Sequence, residues 1–262
     1  MDNLEYQPRE YWNRVASRIR KRAEKNVIAG DDEPYYRYKR GKFLKLFNQI
    51  DFSGKRILEI GPGPGGNLAE VLKHHPLELR GLDISEEMVG LARKNLAGLD
   101  LSIDVLTDQH IHFPDFYFDL SFTSTVLQHI TDDKMLMNLI SEICRVTRND
   151  IYIFERIEKK RKGGPLNIGR PIVEYEQAFS RFQFKLEKVK FLDLQVSYLT
   201  SGAIRKLFNS KEREEGEQIS SVSNFLQKIT LPVTSLLDNI FRPRRDLAMM
   251  HFIRTSKYTN DL

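Results

Sequence analysis

The spacing of apolar residues near the N-terminus predicts helices. One apolar stripe recurs at the spacing of a helix face and consists of Tyr11, Trp12, Val15 and Ile19. After a break at 30–34, which is rich in acidic residues, a second helix presents aromatic and apolar residues to a core: Tyr36, Phe43, Leu44 and Phe47. Residues 1–50 are therefore predicted to form a helical cap.

From Lys55 onward, short apolar runs alternate with helical segments. The predicted strands are Arg56–Ile60, Leu77–Leu82, Leu101–Leu106, Phe118–Thr123 and Ile151–Phe154. Helices between them begin after the glycine-rich segment, at the N-cap Ser85, and at Thr131–Asp133. Strands that alternate with helices need crossover connections, which predicts an α/β fold with a parallel sheet. Ligands bind such sheets beyond the carboxyl ends of the strands.

The pattern beyond the fifth strand is less regular. It predicts a basic loop at Glu158–Lys162, a helix over Ile172–Phe182, and strands at Phe184–Leu194 and Leu247–Ile253. A long, mostly helical segment separates these two strands. The predicted organisation is a cap over 1–50, a core over 51–197, a helical insertion over 198–246, and a final strand with a tail over 247–262.

Composition narrows the class of protein. Of the 262 residues, 40% are hydrophobic and 29% are charged, which favours a packed core over global disorder. The single cysteine, Cys144, excludes an intramolecular disulfide and favours a reducing cytoplasm. The net charge of +5 is mixed along the chain and does not predict nucleic-acid binding. We expect neither a secretory signal at Met1–Tyr6 nor a spanning helix of about 20 apolar residues.

A glycine-rich loop follows the first predicted strand. Gly61-x-Gly63-x-x-Gly66 matches the dinucleotide-binding fingerprint, and Asp83 follows about 20 residues later, where a carboxylate bonds ribose hydroxyls. The loop alone does not distinguish NAD from S-adenosylmethionine, and a glycine turn without a ligand is a third interpretation.

Two features near the loop favour S-adenosylmethionine. Pro62 and Pro64 have no N–H, whereas a loop that binds pyrophosphate needs those donors. Glu59 places a carboxylate two residues before the first glycine, where it would repel a pyrophosphate and attract the ammonium and sulfonium charges of S-adenosylmethionine.

Three ordered motifs carry a resemblance to a known family. Ile57–Gly65 closely resembles motif I of class I S-adenosylmethionine-dependent methyltransferases, and Gly81–Met88 resembles their acidic motif after the second strand. Phe113–Leu120, followed by Val126–Ile130, resembles their fourth-strand motif. The resemblance implies a Rossmann-like, mostly parallel seven-stranded sheet with helices on both faces. To this core the pattern of the chain adds an N-terminal helical lid and a helical insertion between the last two strands, which form a tight hairpin in the plain family core.

The resemblance also implies roles for particular residues. Gly61, Pro62 and Gly63 would approach the methionine part of the cofactor, with Glu59 at its ammonium group. Asp83 would bind the ribose, Ile84 and Met88 would flank the adenine, Asp108 and Gln109 would meet its edge, and Thr123 would face the methionine moiety. Tyr36, on the lid, could face the sulfonium by cation–π attraction or pack in the core. The predicted cofactor-binding set is Tyr36, Glu59, Gly61, Pro62, Gly63, Asp83, Ile84, Met88, Asp108, Gln109 and Thr123.

His129 is the candidate general base, because it follows the fourth strand near the expected methyl group. The alternative is that His129 only packs or caps the next helix and that the reaction proceeds by proximity. No His, Cys, Asp and Glu residues have the spacing of metal ligands, so we predict no metal.

The predicted function is methyl transfer to an O or N atom of a small molecule or glycan. The segment Ala29–Tyr36 resembles bacterial methyltransferases of glycans or secondary metabolites. An NAD-linked oxidoreductase and a non-catalytic S-adenosylmethionine-binding module are the alternatives.

The insertion leaves two readings open. It contains the apolar residues Phe225, Ile229, Leu231, Val233, Leu236, Leu237, Ile240 and Phe241, followed by Arg242, Arg244 and Arg245. In one interpretation, this segment covers the core or packs against a partner subunit in a homodimer. In the other, it contacts a lipid-linked substrate or a membrane surface. Pro232 predicts a break into two short helices.

Overall fold

The computed structural model describes residues 7–22, 33–108, 110–242 and 246–255. Its strands are β1 (Arg56–Ile60), β2 (Glu78–Asp83), β3 (Ser102–Val105), β4 (Phe118–Ser124), β5 (Thr147–Ile157), β6 (Lys162–Gly164), β7 (Asn167–Gly169), β8 (Phe184–Phe191) and β9 (Asp246–Arg254). Its helices are α1 (Pro8–Arg20), α2 (Pro34–Phe47), α3 (Gly66–Leu72), α4 (Glu86–Asn95), α5 (Asp133–Val146), α6 (Ile172–Ser180), α7 (Gln195–Phe208) and α8 (Ser221–Ile240).

Seven strands form one sheet in the order β3-β2-β1-β4-β5-β9-β8. The first five are parallel, whereas β9 runs antiparallel to both β5 and β8. The strand order reverses between β1 and β4, because β2 and β3 lie on one side of β1 and β4 and β5 lie on the other. Ligands bind parallel sheets at such a switch point. The prediction of a mostly parallel, seven-stranded α/β sheet is confirmed.

Both faces of the sheet are covered, which explains why the strands are continuous apolar runs. Successive residues of β1 enter different cores: Leu58 packs with Ile140 and Phe252, whereas Ile57 packs with Phe47 and Phe122. All six side chains are fully buried. The sheet is thus a rigid platform for the loops at its carboxyl edge.

The segment predicted to be a basic loop contains a short hairpin. β6 and β7 pair antiparallel around a turn at Pro165 and Leu166. Apart from the buried Gly169, the residues of these strands are exposed or only partly buried. They have no apolar alternation, so the sequence pattern could not reveal the strands. Long-range contacts support the hairpin instead: Arg156 Nη1 donates to Asn167 Oδ1 at 3.2 Å.

The helical insertion is an antiparallel hairpin of α7 and α8. The prediction that Pro232 breaks the second part is wrong, because α8 is one helix of 20 residues. Pro232 lies on the exposed face of α8, where water can bond the carbonyl of Lys228 that loses its helical donor. The exposed position therefore lowers the cost of the proline.

The polarity of α8 is inverted. Its buried residues are the polar ones: Ser223, Gln227, Thr234 and Asp238. The apolar residues with more than half of their surface exposed are Phe225, Ile229, Val233, Leu236, Ile240 and Phe241. The interpretation of this segment as a cover whose apolar face packs on the core of the same chain is therefore wrong.

The buried polar residues of α8 cap two other helices. Asp238 Oδ1 accepts the backbone N–H groups of Val196 and Ser197, in the first turn of α7, at 2.7 and 3.1 Å. Gln227 Oε1 accepts the N–H of Tyr35, in the first turn of α2, at 3.2 Å. First-turn N–H groups have no partner within their own helix, so these bonds fix the rotation of α8 about its axis.

We predict that Asp238→Ala lowers the free energy of unfolding by about 1–3 kcal/mol, because two buried N–H groups lose their acceptor. Asp238→Asn retains an amide oxygen and should lose less. The neighbouring exposed Asn239→Ala is the control, with a change within about 0.5 kcal/mol. Urea unfolding measures all three, and equal stability of Asp238→Ala and the wild type would contradict the capping role.

Candidate functional site

A cavity of about 1200 Å³ lies at the carboxyl ends of β1, β2 and β4. Most of the predicted site residues line it: Tyr36, Gly61, Pro62, Gly63, Asp83, Ile84, Met88, Asp108 and His129. Glu59 and Thr123 are fully buried and lie behind the cavity surface. Gln109 lies outside the described residues.

The backbone N–H groups of the glycine loop are bonded to acceptors within the protein. The N–H of Gly61 donates to Leu82 O at 2.8 Å, and that of Gly65 donates to Pro62 O at 3.0 Å. Gly61 also has a φ of +70°, and a side chain there would overlap Val126. The close approach of the loop to the segment after β4 therefore requires glycine at this position.

Asp83 connects the glycine loop to the start of α4. Its Oδ2 accepts the N–H of Gly63 at 3.0 Å and its Oδ1 accepts the N–H of Ser85 at 2.9 Å. The side chain is almost entirely buried, and burial raises its pKa in spite of these two bonds. The carboxylate is thus held in one orientation at the cavity wall.

Glu59 lies beneath the loop, where Asn67 connects it to Arg40 by hydrogen bonds. Asn67 Nδ2 donates to Glu59 Oε1 at 2.8 Å, and Arg40 Nη1 donates to Asn67 Oδ1 at 2.5 Å. Glu59 Oε2 has no hydrogen-bond partner although it is buried. Burial raises the pKa of Glu59 to about 8. An unpaired buried carboxylate oxygen is costly, so this atom would gain from a cationic donor.

Thr123 and Glu155 face each other behind the cavity. Thr123 Oγ1 donates to Glu155 Oε1 at 3.2 Å, so the predicted contact of Thr123 with a ligand stays a prediction. The next residues, Ser124 and Thr125, reach the cavity instead. Thr125 has a φ of +58°, a left-handed conformation that is strained for a β-branched residue. Such strain commonly occurs at binding sites.

Glu155 organises the turn that carries His129. Its carboxylate accepts the backbone N–H groups of Val126, Leu127 and Gln128 at 3.0, 2.9 and 3.0 Å. Burial raises the pKa of Glu155 to about 7 against these bonds. The turn of 3₁₀ helix over Leu127–His129 is therefore anchored from below.

His129 is held in one orientation. Its Nδ1 lies 2.9 Å from Leu166 O in the β6–β7 turn, and a carbonyl can only accept, so Nδ1 carries the hydrogen. Nε2 then accepts from Gln128 Nε2 at 3.2 Å, and Trp12 packs edge-on with ring centroids 5.0 Å apart. Burial lowers the pKa of His129, which favours the neutral form.

Tyr36 lies where the predicted lid meets the insertion. Arg205 Nη1 donates to Tyr36 Oη at 3.2 Å, and the guanidinium lies 5.2 Å from the ring centroid. A protein cation therefore contacts the tyrosine ring, and the predicted contact with a ligand cation stays a prediction. Arg205 also pairs with Glu33 at 3.7 Å.

The remaining predicted residues lie along one wall. Met88 is buried under α1, where it packs with Val15 and Ile19. Asp108 is at the rim, accepting from the His110 N–H at 2.8 Å and from His112 at 3.1 Å. Within the described part of the chain, no three His, Cys, Asp or Glu side chains gather closely enough to hold a metal ion.

Sequence reasoning missed several residues of the site. Asn67 and Arg205 are single polar residues on helices, and nothing in their spacing distinguishes them from solvated positions. Glu155 follows an apolar strand, which is a signal, but its role depends on a turn nearly 30 residues earlier in the chain. The structure alone places Asn67 and Arg205 at the cavity and Glu155 behind it.

A comparison with family models identifies the core. Residues 57–150 match a methyltransferase domain family. This match, the strand order and the glycine loop followed by Asp83 confirm the resemblance of the core to class I S-adenosylmethionine-dependent methyltransferases.

Individual relatives are distant. Phosphoethanolamine N-methyltransferase 1 of Arabidopsis thaliana is 24% identical over 186 residues, which cover 66% of this chain and 36% of that protein. A ubiquinone biosynthesis O-methyltransferase of Sinorhizobium fredii is 30% identical over 94 residues, which cover 35% of this chain and 38% of the relative. This chain thus spans little more than a third of these two relatives.

A solved structure shares the fold. Phosphoethanolamine N-methyltransferase 2 of Haemonchus contortus, in complex with S-adenosyl-L-methionine, has a TM-score of 0.63, with 98% of this chain and 62% of that chain covered at 16% identity. The TM-score supports the shared fold, whereas an identity this low does not indicate the methyl acceptor of this chain.

We predict that Glu59 makes stability fall as the pH rises. The pKa of Glu59 is about 8 in the folded state, above its ordinary value of 4.5. The protonated side chain therefore makes its full contribution to the stability of the fold below pH 4.5, and this contribution is lost as the pH rises through 8. Relative to Glu59→Gln, the wild type should lose up to about 1.4 kcal/mol per pH unit in this window. Urea unfolding at several pH values measures it, with the exposed Glu86→Gln as control. Parallel pH profiles of the wild type and Glu59→Gln would contradict the raised pKa.

Proposed function

We propose that this protein is a methyltransferase that uses S-adenosylmethionine. The observation that carries the proposal is the absence of available backbone donors over residues 61–65. Gly61, Gly63 and Gly65 donate their N–H groups to Leu82, Asp83 and Pro62, and the other two residues are prolines. A pyrophosphate, which needs such donors, would find none on this part of the loop.

The charged groups suit a cationic nucleoside. Asp83 presents a fixed carboxylate to the cavity, and a carboxylate in this place bonds ribose hydroxyls in nucleotide-binding α/β folds. The unpartnered Oε2 of Glu59 favours a nearby ammonium group, which Asn67 would help to position. S-adenosylmethionine supplies the ribose, the ammonium and a methyl group activated by a sulfonium.

The role of the protein in the reaction is mainly alignment. In-line transfer breaks the carbon–sulfur bond, whose electron pair stays on sulfur, and forms a bond from the acceptor O or N atom to the methyl carbon. Positioning of this kind can contribute about 7–11 kcal/mol. Where the acceptor is a hydroxyl, His129 Nε2 is the group that would take its proton, after exchanging the Gln128 amide for the hydroxyl.

The acceptor that we propose is a small molecule or a glycan. The cavity exceeds the volume that a nucleoside cofactor needs, and Trp12, Arg40, His129 and Arg205 line it. Distant relatives named for phosphoethanolamine N-methylation and for O-methylation in ubiquinone biosynthesis support small acceptors of either atom type.

We predict that the full chain binds S-adenosylhomocysteine and that Asp83→Ala weakens this binding by about 1–3 kcal/mol, through the lost ribose bonds. Asp104→Ala, an exposed carboxylate on the adjacent strand, is the matched control and should leave the affinity unchanged. Titration calorimetry measures both. Unchanged affinity in Asp83→Ala would refute the assignment of the ribose site.

We predict that the effect of His129→Ala depends on the acceptor. Turnover of a phenolic acceptor should fall by about 10²–10⁴-fold, because the hydroxyl loses its base. Binding of S-adenosylhomocysteine should not change. Release of S-adenosylhomocysteine with a panel of phenols and phosphoethanolamine measures turnover, and the rim variant His112→Ala is the control. Normal turnover of His129→Ala with an active phenol at every pH would make His129 structural.

A further inference from the structure

The outer face of α8 is a continuous apolar stripe. Its members are between 49% and 71% exposed and are Val222, Phe225, Ile229, Val233, Leu236, Ile240 and Phe241. Their spacing of mostly three or four residues places them along one side of a helix about 30 Å long. A contiguous exposed apolar surface of this kind marks an interaction site.

The stripe faces outward because of the bonds on the opposite face. Rotation of α8 to bury its apolar residues would remove Asp238 from the first turn of α7 and Gln227 from the first turn of α2. The exposed stripe is therefore a consequence of the capping contacts, and this chain supplies no described segment that covers it.

The charges on this face have one sign. Along α8 and its C-terminal cap, the exposed ionisable residues are Lys228 and Arg242, and the helix's one acid, Asp238, is buried. At the end of α7, Lys206 lies beside the exposed Leu207 and Phe208. The connecting segment contains four glutamates. Three of them bond within the segment or to α1, since Glu214 pairs with Arg18, Glu215 accepts from Tyr11 and Glu217 accepts the N–H of Glu214. The fourth, Glu212, is exposed next to the exposed Lys211.

We infer that the outer face of the α7–α8 hairpin docks on an anionic lipid surface. Anionic headgroups complement Lys228 and Arg242, whereas a second copy of the chain would present the same positive charges. A helix with an apolar face and basic residues binds in the plane of the lipid interface. No helix of the described residues is both long and apolar enough to cross a membrane. This contact needs neither cofactor nor acceptor, so it can be tested independently of methyl transfer.

The test is cosedimentation of the full chain with vesicles of phosphatidylcholine, with and without phosphatidylglycerol. We expect binding to the anionic vesicles that weakens with salt, and a loss of about tenfold or more in Phe225→Ser/Leu236→Ser, which removes apolar contact area. Lys228→Gln should lose about fivefold. The matched control is Leu77→Ser, because Leu77 and Leu236 are both 67% exposed and Leu77 lies on another surface.

The inference is wrong if the wild type stays in the supernatant with anionic vesicles at low salt, or if Phe225→Ser/Leu236→Ser binds as well as the wild type. Light scattering tests whether a second copy of the chain covers the stripe instead. If the wild type is a dimer, the double variant is a monomer and neither binds vesicles, the stripe is a dimer interface and the inference is overturned. Thermal melting checks the fold, since exposed side chains should leave the melting temperature unchanged. A large loss of stability in the double variant would show that the stripe is covered in solution and would also overturn the inference.

Discussion

The contact on which the site depends is the pair of hydrogen bonds that Asp83 accepts from Gly63 and Ser85. They join the glycine loop after β1 to the helix after β2, and they hold a nearly buried carboxylate in one orientation. They also consume a loop donor that a phosphate would need. The same interaction therefore positions the group proposed to bind ribose and makes the loop a poor site for a pyrophosphate.

A second layer of buried carboxylates supports this arrangement. Glu59 lies under the glycine loop and Glu155 lies under the turn that carries His129, and burial raises the pKa of both. Their environments differ, because the Glu155 oxygens are fully bonded, whereas Glu59 Oε2 is unpartnered. Glu155 thus has a structural explanation within the chain, whereas the unpartnered oxygen of Glu59 is the atom that we propose contacts the ammonium group of the cofactor.

The sequence predicted the features that depend on local patterns. Strand–helix alternation indicated the sheet, and the prolines and Glu59 around the glycine loop indicated the cofactor class. Features that depend on distant contacts were missed. The β6–β7 hairpin has no apolar alternation. The helix α8 continues through Pro232 because the proline faces solvent. The inverted polarity of α8 was not predicted, because its buried polar residues cap the first turns of α2 and α7, which no periodicity in α8 reveals.

Competitive titration of the full chain with S-adenosylmethionine and NAD tests the central claim most directly. The two ligands share an adenosyl group with its ribose. They differ in whether the loop must hold a sulfonium amino acid or a pyrophosphate. The arrangement of donors and carboxylates predicts that S-adenosylmethionine binds and that excess NAD does not displace it. Displacement of S-adenosylmethionine by NAD at comparable concentrations would contradict the account.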